Sequence, residues 1–213
     1  GSTQDLSLGI EQADAVLGGR TELSLQARRN ETGTYLRDLV LENEAINLSG
    51  AVELRSNDSR ANVSFRLDDI ARVAPQYSGA VAATVDATQD ARGWTVAADV
   101  EGPYESRITV NGLATGPDAL LTFAADVPDM QPFVPQATGP LEADGTLRQT
   151  EDGFRLETVI DGPDDIRASV EGLVTPKLDI AFDLAVPRLA PYVPQIAEGG
   201  LNASGTVTQT QEG

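Results

Sequence analysis

The sequence predicts an all-β protein of mostly antiparallel strands, built from repeats of about 60 residues joined by short helical or Pro-rich links. Three observations predict it. Apolar and polar residues alternate with period two over most of the chain, landmarks recur at a constant step, and Gly, Pro and Asp clusters break the alternation about every ten residues.

The repeat comes first, because it orders everything else. Pro75-Gln76, Pro135-Gln136 and Pro194-Gln195 recur at a nearly constant step, inside three similar links: Ile70 to Gly79, Met130 to Gly139 and Leu189 to Gly199. Gln89, Gln149 and Gln209 keep the step. Gly93-Trp94 recurs as Gly153-Phe154, Gly102-Pro103 as Gly162-Pro163, and Val110, Gly112 and Leu113 as Val170, Gly172 and Leu173. Gly19 and Gly33 lie one such step before Gly79 and Gly93, which places a degenerate copy at 3–68. Repeats then occupy 69–128 and 129–187, a truncated one 188–213, and all are expected to run as one continuous β structure. Gly1-Ser2 reads as a cloning scar. Because the last copy stops mid-repeat, the chain reads as a piece of a longer array.

Each unit holds four strands. In 129–187 the apolar set is Leu141, Ala143, Leu147; Phe154, Leu156, Ile160; Ile166, Ala168, Val170; and Leu178, Ile180, Phe182, Leu184, Val186. Glu142, Asp144, Arg148, Arg155, Glu157, Asp161, Arg167, Ser169, Glu171, Asp179 and Asp183 interleave with it. Successive side chains of a strand point to opposite faces, so one face is apolar and the other charged. The preceding unit repeats the scheme with Val81, Val85, Trp94, Val96, Val100, Ile108, Val110, Leu121, Phe123 and Val127. Turns are expected at 90–93, 102–103, 116–118, 151–153 and 162–164, where Gly, Pro and Asp supply the backbone angles that strands lack. Connections this short imply an antiparallel meander.

The links read differently. Residues 69–77 carry apolar side chains at helical spacing, as do Glu11 to Leu17, which predicts a short helix or helical turn at each. Pro132, Pro135, Pro191 and Pro194 limit the later copies to a turn or two, or to a Pro-rich linker.

Strands with a single apolar face must hide it. Sandwiches, barrels, stacked solenoids and one long sheet folded over its own apolar side all satisfy the alternation, and filled cores are the commoner outcome.

Links such as Met130 to Gln136, followed by Gly139-Pro140-Leu141, a Gly-aromatic alternating strand and a Gly-Pro turn, resemble those of the TamB family. That family is the inner-membrane component of the translocation and assembly module, in the AsmA-like, bridge-like lipid-transfer group of Gram-negative envelope proteins. The resemblance covers about residues 63 to 213, and the first third more weakly. It implies a β-taco, a curved half-pipe sheet with a hydrophobic interior. Of the apolar strand sets given above for the two units, the twenty residues from Val81 to Leu184 other than the alanines and Val127 would then line a lipid groove, with Ala83, Ala98, Ala125, Ala143 and Ala168 keeping its floor open. The implied partners are phospholipid acyl chains and an outer-membrane barrel of the BamA type, reached through regions outside this chain. The implied place is the periplasm, with an inner-membrane anchor also outside it. The competing expectation is an extracellular, adhesin-like array of β-sandwich repeats.

Composition bounds the chemistry. The chain has 213 residues, 33 Asp and Glu against 15 Lys and Arg, a net charge of −18, and neither His nor Cys. Triads based on His, Cys nucleophiles, zinc fingers and disulfides are therefore excluded. The charge opposes nucleic-acid binding, which depends on Lys and Arg displacing counterions. Paired acids at 68–69, 151–152 and 164–165 fall at expected turns and form no Gly-containing calcium loop. No catalytic residue, metal site or cofactor is expected. Hydrophobic residues make up 40% of the chain but aromatics only 5%, so its apolar surface is mainly aliphatic.

Overall fold

Period-two alternation becomes strand throughout the computed structural model, which describes residues 1–4, 19–56, 58–193 and 198–209. The chain divides into two units, Gly1–Pro103 and Tyr104–Gly213. The first contains β1 (Ser2–Gln4), β2 (Arg20–Asn30), β3 (Gly33–Glu42), β4 (Ile46–Leu54), β5 (Arg60–Leu67), β6 (Val81–Asp90) and β7 (Gly93–Glu101). The second contains β8 (Arg107–Leu113), β9 (Leu120–Val127), β10 (Leu141–Thr150), β11 (Gly153–Asp161), β12 (Arg167–Thr175), β13 (Asp179–Val186) and β14 (Leu201–Thr208). Within each unit every strand pairs antiparallel with the next in sequence. Among the described residues no pairing joins β1 to β7 or β8 to β14, so both meanders are open. The fold is all-β, as the alternation predicts, and open where the alternation alone favours a filled sandwich or barrel. Ser2, read from the sequence as part of a remnant, pairs with Glu22 in β1.

The links are shorter in helix than their spacing predicts. Ile70–Arg72 forms a single 3₁₀ turn. The Asp69 carboxylate accepts the backbone N–H of Ala71 at 3.0 Å and of Gly79 at 3.1 Å. The Ile70 N–H in turn donates to the Gly79 carbonyl at 2.8 Å. The helix is stopped because the chain is tied back on itself after one turn, and Pro75 sits where a second would form. The next link repeats the closure: Asp129 accepts from Gln131 and Gly139, and Met130 donates to the Gly139 carbonyl. Gly79 and Gly139 have φ of 118° and 120°, and a Cβ on either would meet the ring of Pro103 or Pro163 at 3.0 or 3.5 Å. Glycine serves both the backbone angle and the docking of the Gly-Pro turn. The expected helix at Glu11 to Leu17 lies outside the described residues.

Few side chains are buried. Ala45, Ile46 and Leu67 form one cluster at a strand end, with Ile70 and Val73 of the link packed against it. Ala119, Ala137 and Val186 are buried near strand ends in the second unit.

Candidate functional site

Strand register turns the alternation into rows that cross each unit. In the second unit one row runs Ile108, Ala125, Ala143, Ile160, Ala168, Leu184, Ala203. Beside it runs Val110, Phe123, Gly145, Thr158, Val170, Phe182, Gly205, and then Gly112, Leu121, Leu147, Leu156, Gly172, Ile180, Val207. Positions on one face of a sheet are spaced two apart along each strand, so these rows are neighbours on a single face. Phe154 continues that face beside Gln149, and Ile166 and Leu178 flank the ends of β12 and β13.

The first unit builds the same kind of surface. Leu23, Leu41, Leu48, Phe65, Ala83 and Val100 form one row, and Leu39, Gly50, Val63, Val85 and Ala98 the next. Ala27, Leu36, Val52, Ala61, Ala87 and Val96 form a third, with Trp94 beyond it beside Gln89. Val81 pairs with Leu67 at the edge closed by the link. Sequence reasoning passed over the contribution of β2 to β5, where Arg-rich polar positions and register shifts at Ser24/Gln26 and Leu36/Leu39 obscure the alternation. Ala203, Gly205 and Val207 of β14 extend the second unit's rows and were not singled out either.

None of the twenty residues expected to line a groove is buried: nineteen are half-buried and Ile108 is 45% exposed. Each is partly covered and keeps some of its surface in solvent, unlike a residue on the inner face of a closed sandwich. The five floor alanines are also half-buried, each within one of the rows.

In the middle row large residues stand beside glycines. The Phe123 ring lies over Gly145, and the Phe182 ring stands 3.1 Å from where a Gly205 Cβ would be. Bare glycine backbone is thus covered by an aromatic ring of the neighbouring strand, which removes apolar area from water without a second layer.

In the strands of the second unit charge is confined to the opposite face. Arg107, Asp126, Glu142, Asp161 and Arg167 form one row there, with Arg167 Nε 2.9 Å from Asp161 Oδ1. The links meet the turns of the second unit at polar and aromatic contacts. Tyr104 stacks edge-on to Phe133 with centroids 5.3 Å apart; one repeat later, Asp164 accepts from Arg188 at 2.7 Å and from the Tyr192 hydroxyl at 3.2 Å. Burial, and then that bond to Asp164, raise the Tyr192 phenol above its ordinary 10.0.

Among the described residues no group of three or more acidic side chains is placed to hold a metal ion, and no helix is long and apolar enough to cross a membrane. What the surface offers chemically is a strip of half-buried, mainly aliphatic side chains that keep contact with solvent. At about 4.8 Å between strands that strip is about 29 Å long across the seven strands of the second unit and about 24 Å across β2 to β7 of the first, both longer than the roughly 15 Å of hydrocarbon in one bilayer leaflet. No family model matches the chain, and no curated protein and no solved structure matches it.

Proposed function

We propose that this chain is a periplasmic segment of a TamB-like, AsmA-like envelope protein whose apolar sheet face shelters phospholipid acyl chains in transit between the inner and outer membranes, or assists outer-membrane protein assembly. The observation that carries the reading is the incomplete burial of the groove residues: in each unit's open sheet they lie on, or flank, one face, and none of the twenty is buried. Such a face is costly to leave in water. Sheltering an acyl chain is worth about 0.8 kcal/mol per CH₂, about 13 kcal/mol for sixteen carbons, so a continuous apolar strip lowers the barrier to moving lipid through an aqueous space. The process needs no acid, base or metal, so the protein acts through a surface and not as an enzyme. Headgroups stay in water. An inner-membrane anchor and a BamA-type outer-membrane barrel belong to this reading as partners of parts beyond this chain.

Denaturing mass spectrometry of the natively purified chain tests the proposal. Stoichiometric phospholipid or fatty acid, displaced by an added spin-labelled acyl chain whose relaxation broadens Phe123 and Phe182 resonances, is the expected result. Lipid-free protein whose apolar-face resonances ignore the probe would refute it, and would favour a structural, adhesin-like array.

A further inference from the structure

A basic pocket sits on the polar face of this acidic chain. The β2–β3 hairpin sets Arg28 across from Tyr35 and Gln26 across from Arg37. Tyr35 pairs on its other side with Glu53 of β4, and Arg55 follows that strand. Gln26, Ala27, Arg28, Asn30, Tyr35, Arg37 and Arg55 line a cavity of about 420 Å³, with Glu53 beside it. Its floor is the Tyr35 ring, only 9% exposed, with the Arg37 and Arg55 guanidinium carbons 5.9 and 5.6 Å from the ring centroid. That is cation–π distance, and it holds both forks beside the cavity. The Tyr35 hydroxyl is tied to Thr32 Oγ1 at 2.9 Å, which fixes the ring.

The charges around the cavity do not cancel. Arg37 and Arg55 share one carboxylate, Glu53, at 3.6 and 3.4 Å, and Asp58 is divided between Arg55 and Arg60, both at 3.6 Å. The Arg28 side chain has no hydrogen-bond or ion-pair partner among the described residues. Charge-assisted N–H to oxygen bonds close to about 2.8 Å. Arg92, Arg167 and Arg188 reach 2.8, 2.9 and 2.7 Å on their own acids, so the pocket's guanidiniums keep donor capacity that arginines elsewhere have used.

We infer that this pocket binds a phosphate-type oxyanion, either free inorganic phosphate or the phosphomonoester headgroup of a lipid. Guanidinium forks match tetrahedral oxyanions geometrically, and three of them border this cavity against Glu53, shared by two of them, and Asp58, shared with Arg60 outside it. The volume is within the range of small-molecule sites, leaving room for the group that carries the phosphate. Tyr35 and its apolar-row neighbour Leu36 point to opposite faces, so the arginines of the site lie on the face opposite the apolar strip, and the site does not depend on the lipid reading.

The test is titration of the full chain with inorganic phosphate, followed through the arginine Nε–H resonances. Saturable shifts confined to Arg28, Arg37 and Arg55 are expected. Arg28→Gln breaks no side-chain bond among the described residues and should weaken phosphate binding about tenfold; Arg92→Gln, at the β6–β7 turn, should leave it unchanged. Flotation with phosphatidylcholine vesicles, with and without phosphatidic acid, separates the sources: binding that requires both phosphatidic acid and Arg28 assigns a lipid headgroup, and a response to phosphate alone assigns the free anion. Absence of both responses, or equal losses in Arg28→Gln and Arg92→Gln, overturns the site.

Discussion

The ring of Phe123 lies over Gly145 on the adjacent strand, so closely that a Cβ at 145 would overlap its Cζ and stand 2.7 Å from the Glu157 carbonyl oxygen. At the equivalent pair one repeat later, a Gly205 Cβ would approach Phe182 at 3.1 Å with no backbone atom as near. Gly145→Ala is therefore expected to destabilise by about 1–3 kcal/mol and Gly205→Ala by less, read as urea midpoints at unchanged slope. Adding Phe123→Leu to Gly145→Ala should return part of the loss. Equal costs at the two glycines would show that the aromatic cover is incidental.

Neighbouring residues on opposite faces separate groove function from stability. Ile160 belongs to an apolar row, while Val159 points to the polar face and is 55% exposed. Ile160→Asp should lower lipid occupancy about tenfold, because a carboxylate beside an acyl chain is left unsolvated. Val159→Lys should leave occupancy intact. Both variants should keep their strand content by circular dichroism, and unfolding by Ile160→Asp would mean that this face is packing and not a lipid surface.

Asp69 and Asp129 supply an acid-side dependence of stability. Backbone N–H donors, Ala71 and then Gly79 for one and Gln131 and then Gly139 for the other, hold both carboxyls below the ordinary 3.8. A depressed folded-state pKa stabilises the fold above the unfolded-state value, and the contribution is lost as pH falls through the lowered value. Asp69→Asn with Asp129→Asn removes these titrations while retaining an acceptor oxygen. The unfolding free energy of the variant should decline less below pH 3.8 than that of the parent.

The tyrosines should titrate at opposite extremes. The Thr32 hydroxyl, followed by Arg55, draws the Tyr35 phenol below 10.0, whereas burial and Asp164 push Tyr192 above it. Absorbance at alkaline pH should lose its earliest component in Tyr35→Phe and its latest in Tyr192→Phe. The raised Tyr192 value also means that its contribution to stability is present below the ordinary phenol range and disappears as pH rises through the folded-state value.

Strands, turns and repeats were legible because each is local. Period two marks Leu141 to Leu147 as surely as the structure does, and Gly153-Phe154 announces its hairpin. Openness was not legible from the alternation, since Val170 and Phe182 alternate identically whether their face is packed or free; the family resemblance supplied that expectation. The pairing of Phe123 with Gly145 depends on register, which joins two strands across a whole intervening link. The links look helical because Ile70, Val73 and Ala74 have helical spacing, yet the Asp69 carboxylate and the Gly79 carbonyl close the chain after one turn. The basic pocket was missed because Arg28, Arg37 and Arg55 each read as part of a solvated strand face. A hairpin centred between Asn30 and Gly33 would have placed Arg28 opposite Tyr35 and Gln26 opposite Arg37, the one signal in the sequence that could have found it.

Because Asp69 and Ile70 both bond to Gly79, the chain of the link leaves and returns at one point, and β6 begins beside the end of β5 with Val81 paired to Leu67. The closure at Asp129 and Gly139 does the same for β9 and β10, where Leu141 pairs with Val127. A link of this kind contributes no phase error to the strands around it. Duplicating or deleting a whole unit therefore preserves which side chains fall on which face, so the span of such a protein can be adjusted by copy number, as a ruler is lengthened by adding graduations.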